Sequence, residues 1–292
     1  MSFRLESPYI DTPGALWLRG NLHTHSTGSD GVLPAQEVVD RYAAKGYDFL
    51  MISDHDSLTD PAPLDCRGML LLSGYEVSAS GPHILHVNAS RRIDPARDRQ
   101  QVIDEINAAG GFAILCHPNW QEHFNHFTYE QMLALKGYMG IEILNGTTVS
   151  APGAGLATNK WDRLLGASRR VWGYGNDDMH GAEDSGLAWT VVRARQRSVP
   201  AVLEALRCGS CYVSDGVAIE TIRCTGSVLH VFAPTAQAMA VFGDYGARLH
   251  HQMGNEIYFD TANPKNSYIR VECYGPAGKM AWTQPLLVKS DP

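Results

Sequence analysis

Histidines and carboxylates recur through the first 180 residues, and most of them close a short apolar run. His23 and His25 end GNLHTH (20–25), Asp54 and His55 follow YDFLMIS, and Glu76 ends MLLLSGYE (69–76). Further on, His117 ends GFAILCH (111–117), and Asp178 with His180 follows RRVWGYGND (169–177). Short apolar runs between turn signals read as buried strands, and strands joined by helices in repeated βα units present their carboxyl ends on one face. Residues far apart in sequence would therefore meet. Carboxylates and imidazoles gathered in a water-poor site repel one another or lose hydration unless a cation joins them. The chemistry this pattern points to is coordination of divalent metal ions. A single His-x-His proves little, since a chain with 12 histidines in 292 residues contains roughly 0.5 such pairs by chance. The ordered series H-x-H, D-H, E, H-P and D-x-H, each member closing a strand, carries the inference.

The elements needed to position these residues can be read from the same sequence. Pro34 at a first helical position precedes AQEVVDRYAAK, in which Val38, Val39, Tyr42 and Ala43 recur near helical spacing before Gly46 stops the helix. With HILHVNA (83–89) and MGIEILN (139–145) there are about seven strands, expected as a mainly parallel sheet or barrel. After residue 190 the texture changes. A helix over Val202–Arg207 leads into CYVSDG, SVLHVFA, AMAVFG, EIYFD and SYIRVECYG, which alternate like antiparallel strands. The expected division is a unit over 1–193 and a β-rich module over 194–292.

Composition bounds the rest. A hydrophobic content of 44% and a charged content of 19% suit a soluble globular chain, and no run approaches the twenty apolar residues of a membrane span. The start, MSFRLESPYIDTPG, lacks the apolar stretch of a secretory signal, so a cytoplasmic location with free thiols at Cys66, Cys116, Cys208, Cys211, Cys224 and Cys273 is expected. Cys208 and Cys211 form a C-x-x-C pair with no second pair at zinc-site spacing, and read as adjacent by chance. The net charge of −7 argues against extended nucleic-acid binding. No G-x-S-x-G elbow, P-loop or G-x-G-x-x-G fingerprint is present.

The segments GNLHTHSTGSDGVLPAQEV, LMISDHDSLTD, GYEVS, HILHV, CHPNW and GNDDMH together resemble the PHP (polymerase and histidinol phosphatase) metallohydrolases over about residues 20–190. The tail, ALRCGSCYVSDG with YIRVECYGPAGKMAWTQPLLV, resembles the β module of that family's carbaryl-hydrolase-type branch. The resemblance implies an α/β fold, a distorted (β/α)7 TIM-like barrel with a small C-terminal antiparallel β module. It implies two or three divalent ions (Zn, Mn or Fe). Carried over by residue, the first would take His23, His25, Glu76 and Asp178. Glu76 would bridge to a second held by His86 and His117, and Asp30, His55 and His180 would hold a third. Family spacing favours His86 over His83, which is left as a substrate or proton-transfer candidate. Asp178 is preferred to Asp177 because the closing motif is D-x-H.

Other polar residues have weaker claims. Asp54 is a candidate for orienting a histidine or capping a helix, and Asn145 for contacting substrate or a metal-associated water or for a turn. His123 and His126 read as solvated loop residues, His250 and His251 as surface positions. Lys160, Arg169 and Arg170 are possible phosphate donors, although the two arginines begin a strand at its far end. The function these residues imply is hydrolysis of a small phosphate ester by a metal-bridging hydroxide. A carbamate or carboxylic ester hydrolase is the alternative within the same chemistry, and a non-catalytic metal-binding module is the alternative outside it.

Overall fold

The computed structural model describes residues 3–96, 98–261 and 265–290. β1 (Phe3–Glu6) is followed by β2 (Leu16–Asn21), α1 (Ala35–Ala44), β3 (Phe49–Met51) and β4 (Leu70–Leu72). In α1 the apolar stripe Val38, Val39 and Tyr42 is buried, where it packs with Leu50, Ile52 and Met69. Next come β5 (Gly74–Val77), β6 (Ile84–Val87), α2 (Arg99–Ala108), β7 (Phe112–Leu115), α3 (Tyr129–Ala134), β8 (Gly140–Asn145), α4 (Thr158–Gly166) and β9 (Trp172–Asn176). Every apolar run read as a strand contains one except GNLHTH, which takes only the last two residues of β2, and the fold is mixed α/β.

Two pairings depart from the parallel pattern expected. The run 69–76 is split at Ser73 into β4, which pairs parallel to β3, and β5, which pairs antiparallel to β6. β6 in turn runs antiparallel to β7, while β7, β8 and β9 are parallel. The reason is the connection. Only residues 78–83 separate β5 from β6, too few for the crossover a parallel pair requires, so the two form a hairpin. Two isolated parallel bridges then tie the sheets together at the carboxyl ends, His55 with Glu76 and Thr24 with Met179. Leu22, Phe49, Met51, Leu72, Leu85, Ile114 and Tyr174 share one buried cluster, which gives the TIM-like arrangement a common interior.

The sheet continues past the expected boundary. β10 (Trp189–Ala194) pairs antiparallel with β2 on one side and with β11 (Cys211–Ser214) on the other. Between them lies α5 (Val199–Cys208), capped by the Ser198 side chain and closed by left-handed Gly209. The tail adds β12 (Thr221–Thr225), β13 (Val228–Phe232), β14 (Ala238–Phe242), β15 (Arg248–Met253), β16 (Glu256–Asp260), β17 (Tyr268–Tyr274), β18 (Met280–Thr283) and β19 (Leu286–Ser290). All their pairings are antiparallel, and β1 at the start of the chain pairs with β19. No helix among the described residues is long and apolar enough to cross a membrane.

Candidate metal centre

Glu76 stands at the centre of the clustered side chains. Its Oε1 lies 3.3 Å from His23 Nε2, 3.0 Å from His83 Nδ1 and 3.4 Å from His117 Nε2, and its Oε2 lies 2.9 Å from His55 Nδ1 and 3.5 Å from His25 Nε2. Asp178 Oδ1 approaches His23 Nε2 at 3.1 Å and His25 Nε2 at 3.0 Å. Asp30, on the rim, comes within 3.5 Å of His25 and His55 and 3.4 Å of His180. The strand-end residues His23, His25, His55, Glu76, His117, Asp178 and His180 thus lie together, and Asp30, expected from the resemblance, joins them on the rim. His117 and Asp178 both have left-handed backbone, at φ 27° and 56°, a strained conformation of the kind that gathers at functional sites.

The residues fit divalent ions. His23 Nε2, His55 Nδ1, Glu76 Oε2 and His117 Nδ1 are buried without a hydrogen-bond partner, although the first three lie within 3.5 Å of oppositely charged or chargeable neighbours. They are close but not aligned for N–H···O bonding, as expected of lone pairs aimed at shared points. The donor set is imidazole and carboxylate, which suits hard or borderline divalent metals. Burial alone would raise the Glu76 carboxyl, but His23 and His83 outweigh it and hold it well below its ordinary range. Asp178 is likewise held low against burial, by His23 and the bond from His25.

His86 is the one expected ligand that the geometry contradicts. It lies opposite Tyr75 in the β5–β6 hairpin, on the face away from Glu76, which lies opposite Leu85. Strand residues alternate, so His83 and His86, three apart, cannot serve the same side. His83 takes the place at Glu76. His86 is fully buried with both ring nitrogens unpartnered, and burial pushes its pKa down to about 4, below the ~6.5 of an unfolded chain. The unfolded state therefore binds the extra proton first, so stability falls as pH drops from 6.5 through 4. The loss is on the order of 3 kcal/mol. Urea unfolding of the wild type and His86→Leu at pH 7 and pH 4 checks this: only the wild type carries the added acid sensitivity from this site.

Three other candidates turn out to be supports. Asp54 accepts bonds from the Ser26 backbone and hydroxyl and from Ser29 and Thr59; it fixes the loop carrying Asp30 and reaches His25 through the Ser29 hydroxyl, 3.4 Å from His25 Nδ1. Asn145 donates to Glu142 and Asp178 and accepts from the Thr148 backbone N–H, so it ties Asp178 to Glu142 and takes the turn role. Asp177 accepts from Tyr42, Gly186, Leu187 and Ala188, which turns it away from the cluster. The proposed phosphate donors are committed elsewhere. Lys160 donates to the carbonyls of Pro118, Phe124 and Phe127, Arg169 to those of Leu133 and Leu135, and Arg170 pairs with Glu6.

Sequence reading missed Glu142, His126 and Trp120. Glu142 is fully buried and accepts from His23 Nδ1 at 2.8 Å, the His117 backbone N–H at 2.8 Å, Asn145 at 2.9 Å and Asn176 at 2.8 Å. The bond from Nδ1–H leaves His23 Nε2 with its lone pair toward Glu76 and Asp178, the carboxylate–histidine arrangement that orients metal ligands. Glu142→Gln is expected to weaken metal affinity about 10- to 100-fold, as measured by competition with a chromogenic chelator. His126, expected in solvent, is buried, its ring 4.7 Å from His83 and 4.6 Å from His117, and its Nε2 accepts the His83 backbone N–H. His123, His250 and His251 are exposed.

No family model matches the sequence. A two-domain protein from Bacteroides vulgatus containing a predicted PHP-like metal-dependent phosphoesterase has a similar structure. Its TM-score is 0.54 at 18% identity, covering 97% of this chain and 98% of that one. The two chains share a fold, and in this one it gathers a carboxylate and imidazole cluster of the kind that could hold metal ions. In sequence, a 3′,5′-nucleoside bisphosphate phosphatase from Chromobacterium violaceum is 43% identical over 81 residues, 26% of this chain and 28% of the relative. A 5′-3′ exoribonuclease from Haemophilus influenzae is 40% identical over 76 residues, 23% of this chain and 28% of the relative. The chain thus spans under a third of the length of these curated relatives.

Proposed function

We propose that this chain is a metal-dependent phosphoesterase acting on a small phosphate ester. The observation that carries the reading is the convergence of five imidazoles on the buried Glu76 carboxylate, with Asp178 completing one side. In our assignment His23, His25, Glu76 and Asp178 would hold one ion, Glu76 with His83 and His117 a second, and Asp30, His55 and His180 a third. Divalent ions there, Zn, Mn or Fe and two or three in number, would supply Lewis acidity and an activated water at neutral pH. The protein's part is preorganisation. Glu142 fixes the His23 tautomer, Asp54 fixes the loop of Asp30, and Asn145 ties Asp178 to Glu142. The names of the two sequence relatives, a phosphatase and a nuclease, support phosphorus as the centre attacked.

We read the strand arrangement as the distorted seven-stranded barrel of the PHP fold and keep 1–193 as its catalytic unit, because every clustered residue precedes residue 194. A cytoplasmic setting is kept as part of this reading. A carbamate or carboxylic ester remains the second reading, favoured by a site cavity without a lysine or arginine in its lining, and it is the substrate chemistry of the branch that the tail resembles. Protein loaded separately with Mn, Fe and Zn, assayed against phosphomonoesters, single-stranded RNA ends and aryl carbamates, separates these readings. Hydrolysis of phosphomonoesters, abolished in His25→Ala, is the expected result; cleavage of carbamates alone would replace it with the second.

A further inference from the structure

The cavity beside Glu76 has a volume of about 320 Å³ and is lined by Asp30, His55, Glu76, His83, His117, Trp120, Thr147, Thr148, Ala151, Asp178 and His180. All the carboxylates and imidazoles in that lining belong to the cluster already assigned to cations. What remains for the rest of a substrate is Trp120, the two threonines and Ala151. Neither threonine hydroxyl is free to donate. Thr147 Oγ1 donates to the carbonyls of Asp177 and Asp178, and Thr148 Oγ1 to that of Asn145. The three cations considered as phosphate donors, Lys160, Arg169 and Arg170, are bound to carbonyls or to Glu6.

Trp120 is held in place from two sides. Its ring packs against His117, His83 and His126 at 5.1, 5.7 and 5.0 Å between centroids. Its backbone N–H donates to His117, and its loop is stitched to residues 152–154 through a bridge to Gly153 and bonds between Gln121 and Pro152 and between Ala154 and Asn119. It remains partly exposed at the cavity, and the same two loops expose Phe124 and Val149. A rigid indole costs little further ordering when it meets a planar ligand. A second phosphate outside the cluster would meet Trp120, Thr147, Thr148 and Ala151, none of them a cation, and would lose hydration without compensation.

From this geometry, and resting on the phosphoesterase reading, we infer that the substrate carries a single phosphate on a planar, uncharged leaving group, and that Trp120 selects it by ring contact. This differs from the substrate named for the Chromobacterium violaceum relative, which bears two phosphates. The test compares kcat/KM for phenyl phosphate, glycerol phosphate and adenosine 3′,5′-bisphosphate with the metal-loaded wild type, Trp120→Ala and Trp120→Phe. Phenyl phosphate is expected to be the best of the three. Trp120→Ala should lower its kcat/KM about tenfold more than that of glycerol phosphate, mainly through KM, as loss of one stacking contact implies. Trp120→Phe should restore most of the difference. Preference for the bisphosphate, or an equal effect of Trp120→Ala on phenyl and glycerol phosphate, overturns this inference and leaves the phosphoesterase reading intact. Failure of the wild type on all three overturns both.

Discussion

Glu76→Gln is expected to lower phosphate ester hydrolysis about a thousandfold and to release metal from the protein while leaving the fold in place. The substitution keeps the shape of the side chain and removes its charge. That charge faces His23, His25, His55, His83 and His117, all within 3.5 Å, and in the proposed assignment it would serve two ions at once. Loss of a single preorganised electrostatic contact costs ~100- to 1,000-fold in rate, and here two binding positions lose a ligand together. Elemental analysis and kcat/KM should fall in parallel, with an unchanged circular dichroism spectrum. A variant that retains full metal and full activity would remove Glu76 from the centre of the site.

The second large effect is on stability, away from the cluster. Arg270 in β17 is buried and donates to both oxygens of Asp162 in α4, at 2.8 and 2.6 Å, and to Glu272 at 2.7 Å; Tyr268 and Tyr274 complete the carboxylates. The network joins β17 of the tail to α4. Removing one partner strands a buried charge, so Asp162→Ala should cost about 3–5 kcal/mol in chemical denaturation. Replacing all three charged partners, Asp162→Leu with Arg270→Met and Glu272→Gln, should recover most of that loss, because no uncompensated charge is then left buried.

These two sites differ in how far the sequence discloses them. His23, His25, His55, His117 and His180 were legible because each closes an apolar run, and strand ends are where a β/α fold gathers side chains. Glu142 was not, because it lies inside an apolar strand; the signal available was that a carboxylate in IEILN, buried on both faces, demands partners. The exchange of His86 for His83 turned on strand parity and on a hairpin whose six-residue connection was too short for a crossover. Trp120 and His126 belong to a loop whose path depends on contacts with residues 152–154, and no local periodicity announces such a contact. The Asp162–Arg270 network links positions over a hundred residues apart, so its partners could be found only in three dimensions.

The most direct test of the account is the stoichiometry of divalent metal at saturation, measured by elemental analysis on wild type, His25→Ala and His86→Leu. Two or three ions per chain in the wild type and in His86→Leu, with fewer in His25→Ala, is the predicted result. Less than one ion per chain in the wild type, or a loss in His86→Leu matching that in His25→Ala, would contradict it.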